Sequence, residues 1–329
     1  MVLFDDIESV EVTDDAELEK QLRPGEVRIA PQFVGICGSD LHVLSGKHPF
    51  AKAPTVPGHE ICAIVTEVAP DVQNTTVGDH VVIDPIMNCG KCRACKAGRP
   101  NLCEPPQVAG FRAPGFARTS HVVPAKNVHV APPQIPLRTL AFTEPVTCAR
   151  HCVGRLPKSD QEDVLVIGAG TIGLAVVQAL RIMGAGRITV IEPDPKKRNL
   201  AEKFGANVTL EPGCLDSETF TGVIDVVASQ QTITDACKRV VAGGTVVAMG
   251  VPDADRTIPL PSMQRFERTL TSSGMYVPSD FDEAIQWLAD GSFNAEDLIT
   301  DVFPLEEAAD AYARAKQPES IKVLIQLSH

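Results

Sequence analysis

Val164-Leu-Val-Ile-Gly-Ala-Gly-Thr-Ile-Gly173 is the stretch on which the reading of this 329-residue chain turns. Four apolar residues bounded by glycine suit a short strand buried on both faces. Gly168, Gly170 and Gly173 follow in a G-x-G-x-x-G pattern, and Leu174 to Met183 is an apolar run of helix formers that stops at Gly184. Strand, glycine turn and helix together place free backbone N–H groups at a helix start, where a pyrophosphate binds. Gly168 suits the tight turn, Gly170 the approach of the phosphate, and Gly173 the packing of helix on strand.

Working outward, Ile188-Thr-Val-Ile191 reads as the next strand, and Glu192 closes it nineteen residues after Gly173. An acidic side chain there accepts hydrogen bonds from an adenosine ribose and repels a 2′-phosphate, which favours NAD over NADP. Lys196, Lys197 and Arg198 close behind weigh the other way. Gly168, Gly170, Thr171, Ile172, Gly173, Glu192 and Arg198 are the residues expected at the dinucleotide.

The alternation continues with a strand at Val223–Ala228, a helix at about Ile233–Val241 and a strand at Thr245–Met249, the rhythm of a doubly wound parallel sheet (Rossmann type). Residues 1 to about 146 have a different texture: short β-prone runs at Val27–Val34, Ile61–Val68, His80–Asp84 and Ala117–Val123, separated by Gly, Pro and Asp. Thr139 to Cys152 has helical apolar spacing despite Pro145. Beyond about Thr271, Phe281–Ala289 and Leu305–Ala315 read as amphipathic helices and Ile321–Leu327 as a last strand. The predicted fold is thus α/β, with more than one domain for a chain of this length.

A net charge of −12 excludes a nucleic-acid binder, which needs a basic surface. The N-terminus lacks a basic region followed by an apolar core, and no segment is apolar enough to span a bilayer, so a cytoplasmic protein is expected. Ten cysteines without an export signal suggest reduced thiols or metal ligands rather than a disulfide framework.

Four of those cysteines, Cys89, Cys92, Cys95 and Cys103, fall within fifteen residues in a loop rich in Gly, Lys and Arg. Their spacing allows a closed tetrahedral Zn²⁺ site, structural because no position is left for substrate. An iron–sulfur cluster is the competing reading, but nothing else in the sequence supplies it with a redox partner. A second set begins at Cys37 in Gly35-Ile-Cys-Gly-Ser-Asp-Leu-His42, with His59 and Glu60 in Gly58-His-Glu60. A thiolate, an imidazole and a carboxylate with one open position is the donor set of a catalytic zinc.

Taken together, residues 35–42, Gly58-His-Glu60, the cysteine lobe at 89–103, Glu144-Pro145 and Gly168-Ala-Gly-Thr-Ile-Gly173 resemble the zinc-dependent medium-chain alcohol dehydrogenases, closest to the polyol (sorbitol-type) and threonine dehydrogenase branch. The resemblance implies a GroES-like β-rich catalytic domain at 1–146 and 275–329, with a zinc lobe at about 86–105, and an inserted Rossmann nucleotide domain at 147–274. It implies an active site in the cleft between them and two zinc ions per subunit. Cys37, His59, Glu60 and Glu144 match the catalytic zinc ligands, Glu144 standing where ordinary alcohol dehydrogenases carry cysteine. Cys148 is a rival for that place; it and Cys152 otherwise read as small buried side chains. Asp40 matches the carboxylate that orients the ligating histidine.

The implied reaction is hydride transfer from a secondary alcohol (a polyol, cyclitol, aminocyclitol or amino alcohol) to NAD. Coordination to Zn²⁺ brings an oxygen ligand towards a pKa of about 7, and Ser39 and His42 match the family's proton relay through the cofactor ribose. Phe50, Phe111, Arg112 and Tyr276 are candidate pocket residues, whereas His48, His80, His121 and His151 have no motif context. The chain departs from the sorbitol-type pattern at Gly274-Met-Tyr276. Two alternatives are an NADPH-preferring zinc reductase of a carbonyl substrate and a catalytically inactive zinc- and NAD-binding protein. The resemblance also implies a homodimer or homotetramer, with Thr245–Val251 and Asp253–Leu260 at the sheet edge used for assembly.

Overall fold

The computed structural model describes residues 1–14, 21–104, 107–252 and 254–328. The chain divides into two compact units, Met1–Glu144 with Val277–His329, and Pro145–Tyr276.

The first unit is built on a seven-stranded sheet. Its order runs Ile299–Pro304, Lys322–Gln326, Glu26–Gly35, Glu60–Val68, His80–Ile83 and Val128–Val130, with His121–Pro124 paired to Glu26–Gly35. Only Ile299–Pro304 and Lys322–Gln326 are parallel; every other pair is antiparallel. Val27, Ile29 and Val34 of the central strand face a core shared with Phe4, Val81, Phe116 and Tyr312. Pro31 lacks the amide a ladder needs, and the register of this strand shifts between Pro31 and Phe33. The expected strand at Ala117–Val123 is confined to His121–Pro124.

In the second unit all six strands are parallel, ordered Val208–Leu210, Arg187–Ile191, Asp163–Ile167, Phe220–Asp225, Val240–Ala248, Thr269–Ser272. Numbered within the unit this is 3-2-1-4-5-6, the doubly wound order. Its reversal point lies beside the first strand, where Gly168–Gly173 turns into the helix Thr171–Ile182. The sheet is closed underneath by Leu165, Phe220, Val223, Ile233 and Val246.

Several boundaries differ from the sequence expectation. The helix expected at Ile233–Val241 is Gln230–Arg239, begun by a Ser229/Thr232 capping box, and the β-branched pair Val240-Val241 already belongs to the strand Val240–Ala248. That strand is paired on both sides, so Thr245–Ala248 is not the sheet edge; Thr269–Ser272 is. Asp253, at the head of the other expected edge segment, lies outside the described residues. Thr139–Cys152 becomes two helices, Leu137–Leu140 and Thr143–Gly154, with Pro145 in the first turn of the second, where no helical amide is missed. No helix among the described residues is long and apolar enough to cross a membrane.

Candidate functional site

Cys37 sits where the strand Glu26–Gly35 gives way to the short helix Gly38–Leu44. Asp40, at the third position of that helix, turns back so that its Oδ2 accepts the Cys37 amide at 2.9 Å. Its Oδ1 stands 3.5 Å from His59 Nδ1, and both residues are buried. Neither Asp40 Oδ1 nor His59 Nδ1 has a hydrogen bond, so the two polar atoms face one another away from water. Burial alone lowers the His59 pKa, but Asp40 and Cys37 outweigh it and hold it well above the ordinary value.

One donor atom each from Cys37, His59 and Glu60 lie within 4.8 Å of one another, close enough for a single ion. Soft sulfur, imidazole nitrogen and carboxylate oxygen suit zinc. Glu144 is buried and outside this set, at the start of the helix Thr143–Gly154. Asp84 is buried too, its carboxyl raised to about 7 by burial and by the charge of Glu144.

Sequence reasoning missed Lys322. Its Nζ donates to both oxygens of Glu60, at 2.8 and 2.5 Å, and to the Ile36 carbonyl at 3.0 Å. Gly35 makes the contact possible. It pairs with Glu60 on one side and Leu324 on the other, and a Cβ at 35 would stand 2.2 Å from Glu60 Oε2. The glutamate therefore crosses over a strand position without a side chain to reach a lysine two strands away. Burial pulls Lys322 down, but Glu60, Cys37 and Glu144 outweigh that and raise its pKa.

Ser39 and His42 lie three residues apart on the helix Gly38–Leu44, Ser39 half-buried and His42 exposed. Phe111 packs on the ring of His59 at 4.9 Å between centroids, and His48 stacks on Phe111 at 4.8 Å and 7°. His48 Nδ1 accepts the amides of Phe50 and Ala51, at 3.2 and 3.0 Å. Burial first, then the neighbouring His42, lowers its pKa, which suits that acceptor role. His48, which has no motif context, is thus part of the site's wall. Phe50 and Arg112 lie beside it, whereas Tyr276 is fully buried in the second unit and lines no surface. Cys152 is fully buried and its thiol pushed up to about 12 by burial, as for a packing residue; Cys148 is half-buried.

In the cysteine lobe the four sulfurs also converge within 4.8 Å. The Cys92 amide donates to Cys89 Sγ, the Cys95 amide to Cys92 Sγ, and the Cys89 amide to Cys103 Sγ, at 3.3, 3.5 and 3.3 Å. Amide donors favour thiolates: the Cys95 amide draws Cys92 down to about 6, and those of Lys91 and Cys92 lower Cys89. Cys95 is raised by burial, and Cys103 rises to about 12 despite the Cys89 amide, through burial and the adjacent thiols. Four sulfurs this close do not all ionise without a cation among them, so the donor set fits a metal.

The glycine turn fits a dinucleotide. A Cβ on Gly173 would meet the Gly168 carbonyl oxygen at 2.0 Å, so the close packing of helix on turn admits only glycine, whereas a Cβ on Gly170 meets nothing within 4 Å. Thr171 and Ile172 open the helix beside it. Glu192 accepts the amides of Ala169 and Asp194, at 2.7 and 3.0 Å, which ties the second strand's tip to the turn. Arg198 is held by the Glu192 and Pro193 carbonyls and by Glu211, each at 2.8 Å.

Comparison with known proteins agrees with this geometry. Residues 23–133 match the alcohol dehydrogenase GroES-like domain and residues 171–290 the zinc-binding dehydrogenase domain. The starvation-sensing protein RspB of Escherichia coli K12 is 31% identical over 315 residues, covering 92% of this chain and 93% of that protein. The 2-dehydro-3-deoxy-L-galactonate 5-dehydrogenase of Pseudoalteromonas atlantica is 30% identical, covering 92% of each. A crystal structure of an alcohol dehydrogenase (rspB) from E. coli CFT073, complexed with NADH, superposes with a TM-score of 0.92 at 28% identity, covering 99% of this chain and 98% of that one. The chain belongs to the zinc-dependent medium-chain alcohol and polyol dehydrogenases, with a GroES-like domain and a Rossmann-like domain. It is an oxidoreductase of the alcohol dehydrogenase type.

Proposed function

We propose that this enzyme oxidises a secondary hydroxyl of a small polyhydroxylated molecule, using NAD and two zinc ions per chain, one catalytic and one structural. The observation that carries the proposal is the convergence of Cys37, His59 and Glu60 beside Ser39 and His42. A sugar-acid dehydrogenase among the relatives supports the polyhydroxylated class. When bound, the metal supplies Lewis acidity at the substrate oxygen and the nicotinamide accepts the hydride.

The chain's own residues do the rest. Asp40 orients His59, and Lys322 offsets the carboxylate of Glu60 so that the cluster carries less net negative charge. Ser39 would take up the hydroxyl proton as it gives its own to the ribose of the bound cofactor, from which the exposed His42 on the same helix would pass it to water. Glu144 serves as a further ligand, directly or through water. Glu192 favours NAD, because its carboxylate repels a 2′-phosphate and Arg198 is already engaged by three oxygens.

The test is NADH formation by zinc-replete protein with NAD⁺ and a panel of alditols, aldonates, cyclitols, aminocyclitols, threonine and simple alcohols, alongside metal analysis. The expected results are two zinc per chain, activity lost in Cys37→Ser with one zinc retained, and weaker activity with NADP⁺. Full activity of Cys37→Ser would overturn the assignment.

A further inference from the structure

We propose that Arg112 selects substrates bearing a terminal oxyanion, a carboxylate or a phosphate at the end of the molecule remote from the reacting hydroxyl. This rests on the dehydrogenase reading above and narrows its substrate class. A continuous run of ring contacts leads outward from the metal-ligand cluster: His59 to Phe111 at 4.9 Å, Phe111 to His48 at 4.8 Å, His48 to Phe50 at 6.0 Å. It ends at the guanidinium of Arg112, 4.8 Å over the Phe50 ring. Arg112 also directly follows Phe111 in sequence, so the cation and the ring on His59 belong to one loop.

Like Arg265 and Arg268, which lie over Phe266, Arg112 sits on an aromatic ring without a carboxylate partner among the described residues; what sets it apart is that its ring, Phe50, connects through His48 and Phe111 to His59. Its guanidinium is held against an aromatic face, which limits its freedom and leaves its donor edge available for a two-pronged contact with an oxyanion. Phe50 is 64% exposed, an apolar surface beside a polar cluster, suited to the C–H face of a polyol chain.

Charge points the same way. The inner end of this run holds the acids Asp40, Glu60 and Glu144, with Lys322 buried behind them. An acidic substrate therefore needs its own charge at the far end of the site, and Arg112 is the cation placed there.

The experiment uses zinc-loaded full-length enzyme with NAD⁺ and alditols, aldonates and alditol phosphates matched in length and configuration. Wild type is compared with Arg112→Ala and Arg112→Lys. The readout is the ratio of kcat/KM for the acidic substrate to that for its neutral counterpart, with binding of the same aldonates and phosphates followed by calorimetry. In Arg112→Ala the ratio should fall roughly three- to tenfold, mainly through KM, with partial recovery in Arg112→Lys, which keeps the charge and loses the fork. Preference for aldonates over phosphates, or the reverse, identifies the source of the oxyanion. An unchanged ratio, or a wild type that prefers neutral alditols, overturns the proposal. Should no alcohol be oxidised at all, the dehydrogenase reading fails, and calorimetry decides this one separately: binding of an acidic polyol that Arg112→Ala abolishes sustains it, and binding indifferent to Arg112 refutes it.

Discussion

At the level of single residues, Lys322 and Asp84 show how burial sets the character of a charge. Lys322 and Glu60 are 3% and 1% exposed, so each depends on the other for what water no longer provides. Removing the lysine leaves a buried carboxylate unpaired; Lys322→Met should cost about 3 kcal/mol or more in urea unfolding. Lys322→Met with Glu60→Gln should recover much of that loss, and equal stability of single and double variants would show that the pair is not coupled. Asp84 behaves differently. Its pKa is raised from 3.8 to about 7, so the folded protein binds a proton that the unfolded chain releases. Stability therefore falls as pH rises between those values, and it is fully retained only below the lower one. Asp84→Asn keeps the oxygen that accepts the Ile86 amide and has no such dependence. Its melting temperature relative to wild type should rise between pH 5 and pH 8; a constant difference would mean that Asp84 titrates normally.

At the level of elements, two close approaches decide what the glycines do. Gly173→Ala drives a methyl into the Gly168 carbonyl, so helix and turn must part. NADH affinity, followed by fluorescence titration, should drop by tenfold or more with little change in zinc content. Gly35→Ala acts on the other unit, pushing Glu60 off its path to Lys322, and there zinc content should fall while NADH affinity persists. An identical response from both variants would argue for general unfolding. The glycine turn was legible in the sequence because it is local: strand, spacing and helix occupy one window. The strand beginning at Val240 was harder to place, because helix and strand meet there without a glycine or proline between them.

On the scale of the whole molecule, the two units differ in continuity. Pro145–Tyr276 is one unbroken segment carrying all six parallel strands, whereas the other unit is assembled from both ends of the chain. Lys322–Gln326 lies between Ile299–Pro304 and Glu26–Gly35 in the sheet, so loss of the last few residues opens that sheet in its interior. A fragment of residues 145–276 should fold alone, with a cooperative melt by circular dichroism, while truncation after residue 320 should abolish folding of the first unit and leave the second intact. A fragment 145–276 without a cooperative transition would refute the independence of its core.

The sequence by itself determined which chemistry was available: four sulfurs at metal-ligand spacing, a thiolate and an imidazole in glycine-flanked turns, and a dinucleotide turn followed by an acidic residue. Each of these is a short-range pattern, in which spacing sets backbone geometry directly. Only the tertiary structure decided how they are supported. Lys322 meets Glu60 across 262 residues of chain because sheet order, not sequence distance, makes them neighbours. His48 comes against Phe111 for the same reason: its ring is brought there by tertiary packing, not by sequence spacing. A lysine in an apolar strand carries no local signal. Its role exists only once burial has removed the water and packing has supplied the partner.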